Sequence, residues 1–448
     1  MAKEQFKLQS RRRSDIRQTL GVVPHLVDPF VGLIQSLNFY RCRPDEPQFV
    51  HCHATMPDLS RVTGRYSNRG TGSTALTEKV ALVKAVGESV ERYSSDVNDH
   101  SDVVHAPYRK VKSQAVYPRR FVLFHPEQFQ DPHFPYREIT DDTVIPWAQG
   151  YSVTHKRPTL VPASLVHLGM GLEPEQWFES GPVSGYACAN TFEEAILGGI
   201  CEVVERDSFM VFWYNNLPVP AFDLTALESE EARQTLDRYH SAPVRLHCSN
   251  ITTDIGIPAA VAVMTSRAPG WPAAVVSAAA DLDPERAIVR ALQELAANHL
   301  YIRHHLEGRS PMPQAPEQVS TMEDHGLFYC SPERLPALDV LLRPRAFVRP
   351  RDLPSKKSDD VLEDIDYCVG RLAALDLEVI AVDLTAPDVG ALGFKVVKVL
   401  IPGAQPIDFG MRWQHFGGRR IYDAPVRMGY RTRPTLASEL NRFPHPFP

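Results

Sequence analysis

The stretch from about Thr191 to Tyr214, TFEEAILGGICEVVERDSFMVFWY, constrains this chain more than any other. Asn190 or Thr191 caps a helix, and Glu193 and Glu194 fill its first turn, where the helix dipole favours negative charge. Beyond that turn the helix is apolar on most sides, with Ala195, Ile196, Leu197, Ile200, Val203 and Val204. Such a helix is buried nearly all round. Yet Glu194, Gly198, Glu202 and Glu205 share one face at helical spacing, so carboxylates are carried inward with it. Buried carboxylates are costly unless cations pair with them. The fold must therefore bring cations, its own or bound ones, to that face.

The pattern recurs. A second helix is predicted from about Thr77 to Asn98, with Val83, Val86, Val90 and Tyr93 on one face and Lys84, Glu88, Glu91 and Ser95 on another. E-x-x-E-R appears in both helices, as Glu88, Glu91, Arg92 and as Glu202, Glu205, Arg206. A third helix opens on Asp283-Pro284-Glu285, a cap, a first-turn proline and an acidic residue, and carries Arg290, Gln293 and Glu294. Any one of these faces could be solvated, and Lys84 with Glu88 could be a surface pair worth a few tenths of a kcal/mol. Recurrence is what argues for a shared site.

Each helix follows a glycine- or alanine-rich, strand-like approach: GRYSNRGTGSTA, SGPVSGYACA and AAVVSAAADL. Further strands are expected at Ala259–Met264, Glu378–Leu384 and Lys395–Pro402. The polar Asp352–Asp360 reads as a linker before an amphipathic helix that ends near Leu375, and residues 100–150 read as loops with short strands. The fold class is mixed α/β (α+β).

Composition narrows the partners. The chain has 448 residues with 48 basic and 54 acidic, a net charge of −6, which disfavours a nucleic-acid footprint. The N-terminus has no apolar signal core, and no apolar run approaches the ~20 residues of a membrane span. Seven cysteines without CxxC spacing point to a reducing cytoplasm.

Hard oxygen ligands favour Mg²⁺ or Ca²⁺. No glutamate is followed three residues later by histidine, and HExxH is absent, so di-iron and zinc-protease sites are disfavoured. The P-loop and kinase motifs are also missing. A nucleotide bound here would be bridged by Mg²⁺ on the glutamate pairs, with Arg206 or Arg290 adding positive charge.

Four blocks carry a family resemblance: Gly87–Ser94, Ala189–Phe209, Ala280–Ala296 and Val396–Gly410. In this order and spacing they resemble the YcaO superfamily, whose members use ATP to activate a backbone amide. The last five residues, PHPFP (444–448), resemble the P-x-P-x-P tail of its azoline-forming cyclodehydratases, the D-proteins of thiazole/oxazole-modified microcin biosynthesis. The resemblance implies a YcaO fold with subdomains built around mixed sheets and the long acidic helices. It implies a YcaO domain over 61–448 behind an N-terminal extension of 1–60. The implied reaction closes Cys, Ser or Thr of a ribosomally made precursor peptide into thiazoline or oxazoline rings. ATP and Mg²⁺ are the implied cofactors.

Carried over residue by residue, Glu88, Glu91, Glu202 and Glu205 hold Mg²⁺. Asn190, Glu194, Arg206, Arg290, Gln293 and Glu294 line the nucleotide, and the tail brings the Pro448 carboxylate in as a base. With so short an extension, a separate E1-like protein is expected to bind the precursor's leader. A flavin dehydrogenase is a common companion, and a homodimer is one self-assembly left open.

The chain departs from the family where many members have Gly-Lys-Gly (Ser73, Thr74, Ala75), serine (Lys84) and Ser-Asn-Gly (Val183, Ser184, Gly185). Two alternatives therefore stay open: a different amide activation such as thioamidation, or a degenerate scaffold that binds partner or precursor without turnover. Three weaker features remain. Cys42, His51, Cys52 and His53 fit a strand better than zinc ligands. Arg11–Arg13 suits a solvated arm or an acidic-peptide contact, and His304 and His305 an exposed helix end.

Overall fold

A computed structural model describes residues 8–64, 67, 69–97, 102–179, 181 and 184–447. The chain first lays down an antiparallel sheet of β1 (Ser36–Tyr40), β2 (Val50–Thr55) and β3 (Gly70–Ala75). The proposed boundary at residue 60 thus falls between two strands that pair with each other. The first acidic helix, Glu78–Val97, packs on this sheet, and the Thr71 and Ser73 hydroxyls donate to its carbonyls at Ala85 (3.2 Å) and Ala81 (2.5 Å).

The next strands are β4 (Val104–Pro107), β5 (Val144–Ser152), β6 (Arg157–Pro162) and β7 (Tyr186–Ala189). They wait for partners from the far end of the chain. The sheet between comes first: β8 (Ala221–Phe222), β9 (Val244–Asn250), β10 (Ala259–Ser266), β11 (Ala274–Ala280) and β12 (Phe347–Val348), in the order β11-β10-β9-β8-β12. Its pairings are antiparallel except β8 with β12. Then β13 (Ile380–Asp383) and β14 (Lys395–Leu400) return to complete β4-β5-β13-β14-β7, with β6 on β5. The expected strands are present, β3, β7 and β11 form within the three small-residue approaches, and the architecture is mixed α+β.

The three acidic helices lie between these sheets. The second, Phe192–Asn215, starts where Thr191 Oγ1 accepts from the Glu194 amide (3.2 Å) and stops at Asn216, which turns left-handed at φ 47°. It packs on β7 and β14 on one side and on β10 and β11 on another, which is why its sequence is apolar nearly all round. Close approach to β14 needs Gly199, where a Cβ would stand 2.5 Å from a Val399 methyl. The third, Pro284–Glu307, is capped by Asp283 and lies against β10, β11 and β3. Among the described residues, no helix is long and apolar enough to cross a membrane.

The second helix is also clamped by charge. Asp207, fully buried, accepts from Arg420 Nε (2.6 Å) and Nη2 (2.7 Å), and from the Gln405 amide (2.8 Å). Arg420 continues to Asp254 at 2.9 Å, so the helix is tied to the loop between β9 and β10 and to Arg420–Arg427, and through the Gln405 amide to the loop after β14. Removing one partner strands a buried charge, so Asp207→Ala should lower unfolding free energy by about 3–5 kcal/mol, read by urea denaturation.

Candidate active site

The structure brings charged side chains from all three acidic helices to one place. On the second helix, Arg206 Nη1 lies 2.8 Å from Glu205 Oε1 and its Nη2 lies 3.9 Å from Glu202 Oε1. The backbone amide of Gly185 donates to Glu202 Oε2 at 3.2 Å. On the first helix, Arg92 stands 3.6 Å from Glu88. On the third, Gln293 Oε1 accepts from Lys84 Nζ at 3.4 Å, and Arg290 donates to the Ala280 carbonyl at 3.2 Å and faces Asp281 at 3.6 Å.

Charge couples the three helices as well. Burial pushes Glu91 up to about 8, against the pull of Arg92 and with the help of Glu202 and Glu88. Burial also raises Glu205 and Glu294, which repel each other, and raises Glu88, which Glu294 reinforces. Lys84 is pushed down to about 8 by burial and by Arg290. The cluster is open at one end and closed at the other: the Glu88 side chain is 35% exposed, that of Glu205 only 5%. Glu205 Oε1 and Arg206 Nη1 are both buried without a hydrogen bond despite their proximity.

Among the described residues, no three acidic, His or Cys side chains stand close enough to form a ready metal cage. The donor set nevertheless suits a hard divalent cation: carboxylates from two helices, one oxygen unsatisfied, with Glu88, Glu91 and Glu205 raised by burial.

Asn190 and Glu194 lie elsewhere. Glu194 is eight residues before Glu202, about 12 Å along the helix at 1.5 Å per residue. It accepts from the Ser14 amide (2.9 Å) and hydroxyl (2.6 Å), and Asn190 Oδ1 accepts from Thr19 Oγ1 (2.9 Å). The N-terminal segment thus occupies these two residues, while Arg206, Arg290, Gln293 and Glu294 join the glutamates. The Arg run belongs to the same segment: Arg11 pairs with Asp360 at 2.7 Å and Arg13 with Asp364. The available signal was that basic run set against the acidic start of Val361–Ala373.

Pro448 and Val183 lie outside the described residues. The tail before Pro448 runs into the protein. Trp213 Nε1 donates to the Phe443 carbonyl (3.2 Å), Tyr329 Oη to Pro444 (2.6 Å) and His325 Nδ1 to His445 (2.8 Å). Phe447 is 1% exposed, and the Arg206 guanidinium sits 4.1 Å from its ring centre. Phe447 therefore packs against the arginine that bridges Glu202 and Glu205. Two departures from the family pattern also touch, since Lys84 Nζ donates to the Thr74 carbonyl at 2.8 Å. Cys52 faces the core from β2, and His51 Nδ1 lies 2.7 Å from Thr74 Oγ1.

The sequence reading missed Lys398 and Glu179. Lys398 comes from β14, is buried, donates to the Ser184 carbonyl and lies over the Tyr186 ring. Burial pushes it down to about 7, against the pull of Glu202, Glu179 and Glu91. A lysine alternating with valines in KVVKVL looks like the outward face of a strand. Only the fold shows that both faces of β14 are covered.

The profile of the family described as YcaO cyclodehydratase, ATP- and Mg²⁺-binding, matches residues 72–405. The chain belongs to the YcaO family. The cofactors of that family are ATP and Mg²⁺. The chain is 29% identical over 291 residues to an uncharacterised protein in the tfuA 3′ region of Rhizobium leguminosarum bv. trifolii, covering 62% of this chain and 64% of that one. Among solved structures it resembles a heterocyclase in complex with substrate and cofactor, with TM-score 0.83 and 26% identity over 99% of this chain and 59% of that one. It also resembles the heterocyclase TruD, with TM-score 0.73 and 25% identity over 99% and 56%. The chain thus spans less than two thirds of each of these relatives.

The raised glutamates set a pH dependence for this YcaO protein without its metal. Glu91 holds its proton to about pH 8 when folded, against an ordinary 4.5. Over that interval the folded chain carries a proton that the unfolded chain has lost, so rising pH removes stability. Lys398 acts oppositely above about 7, where the unfolded lysine keeps a proton that the buried one has given up. The fall that Glu91 contributes therefore runs from pH 4.5 to about 8, opposed below about 6.5 by the buried His51 and His325, each held down to about 4, and above about 7 by Lys398. Urea denaturation across that range should show it flattened in Glu91→Gln.

Proposed function

We propose that this YcaO protein is an ATP-dependent peptide cyclodehydratase that forms thiazoline or oxazoline rings from Cys, Ser or Thr. One observation carries the reading: the proline-rich tail is threaded inward until Phe447 packs under Arg206, the residue that bridges the glutamates. A disordered proline-rich end would not be buried there. The two heterocyclase structures support the same chemistry.

In this reading Glu88, Glu91, Glu202 and Glu205 hold Mg²⁺, and Arg206, Arg290, Gln293 and Glu294 face the nucleotide. Bound Mg²⁺·ATP supplies the phosphoryl group that makes the amide oxygen a competent leaving group. The protein's own residues position and neutralise. Arg206 offsets the negative charge of Glu202 and Glu205, and Phe447 holds its guanidinium in place. The Pro448 carboxylate, one residue beyond Phe447, serves as base for the nucleophile. For Asn190 and Glu194 to join the nucleotide contacts, the ligand must displace the Ser14 and Thr19 side chains that occupy them.

The precursor peptide is the substrate, and a separate E1-like protein binds its leader. A flavin dehydrogenase acts after it where the rings are aromatised. The heterocyclase solved in complex with substrate and cofactor, of which this chain covers 59%, supports a bound substrate.

The first test is thermal stabilisation by ATP with and without Mg²⁺. A ligand at 100 times its Kd adds about 2.7 kcal/mol, and Glu202→Gln should lose that increment. Absence of any shift in the wild type, alone and with the leader-binding partner, would identify a degenerate scaffold. With partner and precursor, each ring should cost the peptide one water by mass. Exchange of oxygen for sulfur would indicate thioamidation instead. Removing residues 444–448 should abolish ring formation while the Mg²⁺·ATP shift persists.

A further inference from the structure

Arg206 also lines a cavity of about 100 Å³. It is walled largely by aliphatic side chains, among them Leu165, Val203 and Val399. Three buried polar atoms of its lining residues have no hydrogen-bond partner: Gln405 Oε1, Ser184 Oγ and Arg206 Nη1. Gln405 is fully buried, so its orphaned oxygen is expensive unless something fills the cavity and donates to it. Gln405 is also held rigidly: its amide is anchored on Asp207 (2.8 Å) and its Nε2 on the His415 carbonyl (2.9 Å). Lys398 lines the same cavity, and its one hydrogen bond among the described residues goes to the Ser184 carbonyl.

These features specify a ligand. The cavity offers a cationic donor, a neutral acceptor and an apolar wall. An anion is disfavoured, because Glu179 lines the same cavity and Glu91 and Glu202 also act on the lysine. A neutral group with an acceptor at one end and an N–H at the other fits, and a peptide unit with a small flanking side chain is such a group.

We propose that this cavity seats the peptide unit that is cyclised, with Lys398 donating to its carbonyl oxygen and Gln405 Oε1 accepting its N–H. The inference rests on the cyclodehydratase reading, and Arg206 lines both this cavity and the glutamate cluster where that reading puts the nucleotide. When the side-chain thiol adds to the carbonyl carbon, its proton passes to the base and the C=O electron pair moves onto oxygen, where Lys398 stands. Lys398 and Gln405 are positioning residues for that amide.

The probe is N-acetyl-alanyl-cysteine methylamide, a blocked peptide with no leader, titrated into the full chain by saturation-transfer NMR. Lys398→Met and Gln405→Leu should each weaken binding roughly tenfold, the effect of one lost hydrogen bond in a buried site. Lys398→Arg, which keeps a cationic donor, should retain most of the affinity. The Mg²⁺·ATP thermal shift should persist in Gln405→Leu, showing that its fold and nucleotide site are intact. Equal binding by wild type and both variants overturns the proposal, and so does absence of saturation transfer, which would mean the cavity holds only water. Binding that is lost in the variants, together with no nucleotide shift in the wild type, would support the peptide seat and overturn the functional reading alone.

Discussion

A buried guanidinium organises this molecule. Arg206 stands between the glutamates of its own helix and the aromatic ring of the penultimate residue. Burying one charge is expensive, and burying several of one sign at a single place is more so. The fold answers by giving Arg206 two carboxylates and a ring face, and by setting Lys84, Arg92, Arg290 and Lys398 around the remaining acids. The compensation is incomplete, since several glutamates are still raised by burial and by one another. A site left in that condition favours an incoming divalent cation.

The scaffold explains how such a site is held open. Each acidic helix is wedged between sheets, so the helices cannot collapse onto the charged gap between them. The second helix is further fixed by the buried pair of Asp207, two residues past Glu205, and Arg420. The loop after β14 hangs from the same aspartate through the Gln405 amide. Through that connection the walls of the cavity and the position of the tail belong to one rigid assembly. The tail adds its own anchors at Trp213, Tyr329 and His325, each donating to a tail carbonyl.

The departures at Ser73–Ala75 and Lys84 also make sense as a pair. Lys84 reaches back to the Thr74 carbonyl and forward to Gln293, so it fastens the first helix to β3 and to the third helix. A cation thus enters the cluster at a place where many family members have serine, and it sits in the field of Glu88 and Glu294.

How much of this was legible beforehand follows from the range of the forces involved. Helical periodicity, caps and the doubled E-x-x-E-R are local, so the three helices, their start points and the inward direction of Glu88, Glu91, Glu202 and Glu205 could be read from residues within a few turns. The family blocks extended that reading to Arg206, Arg290, Gln293 and Glu294. Contacts across hundreds of residues have no local signature. Only packing put Ser14 on Glu194, Phe447 under Arg206 and Lys398 in a covered strand facing acids from two helices. The sequence by itself determined which elements form and which of them carry charge inward. The tertiary structure decided which charges meet, because burial and Coulomb energy depend on neighbours that the chain supplies only when it folds.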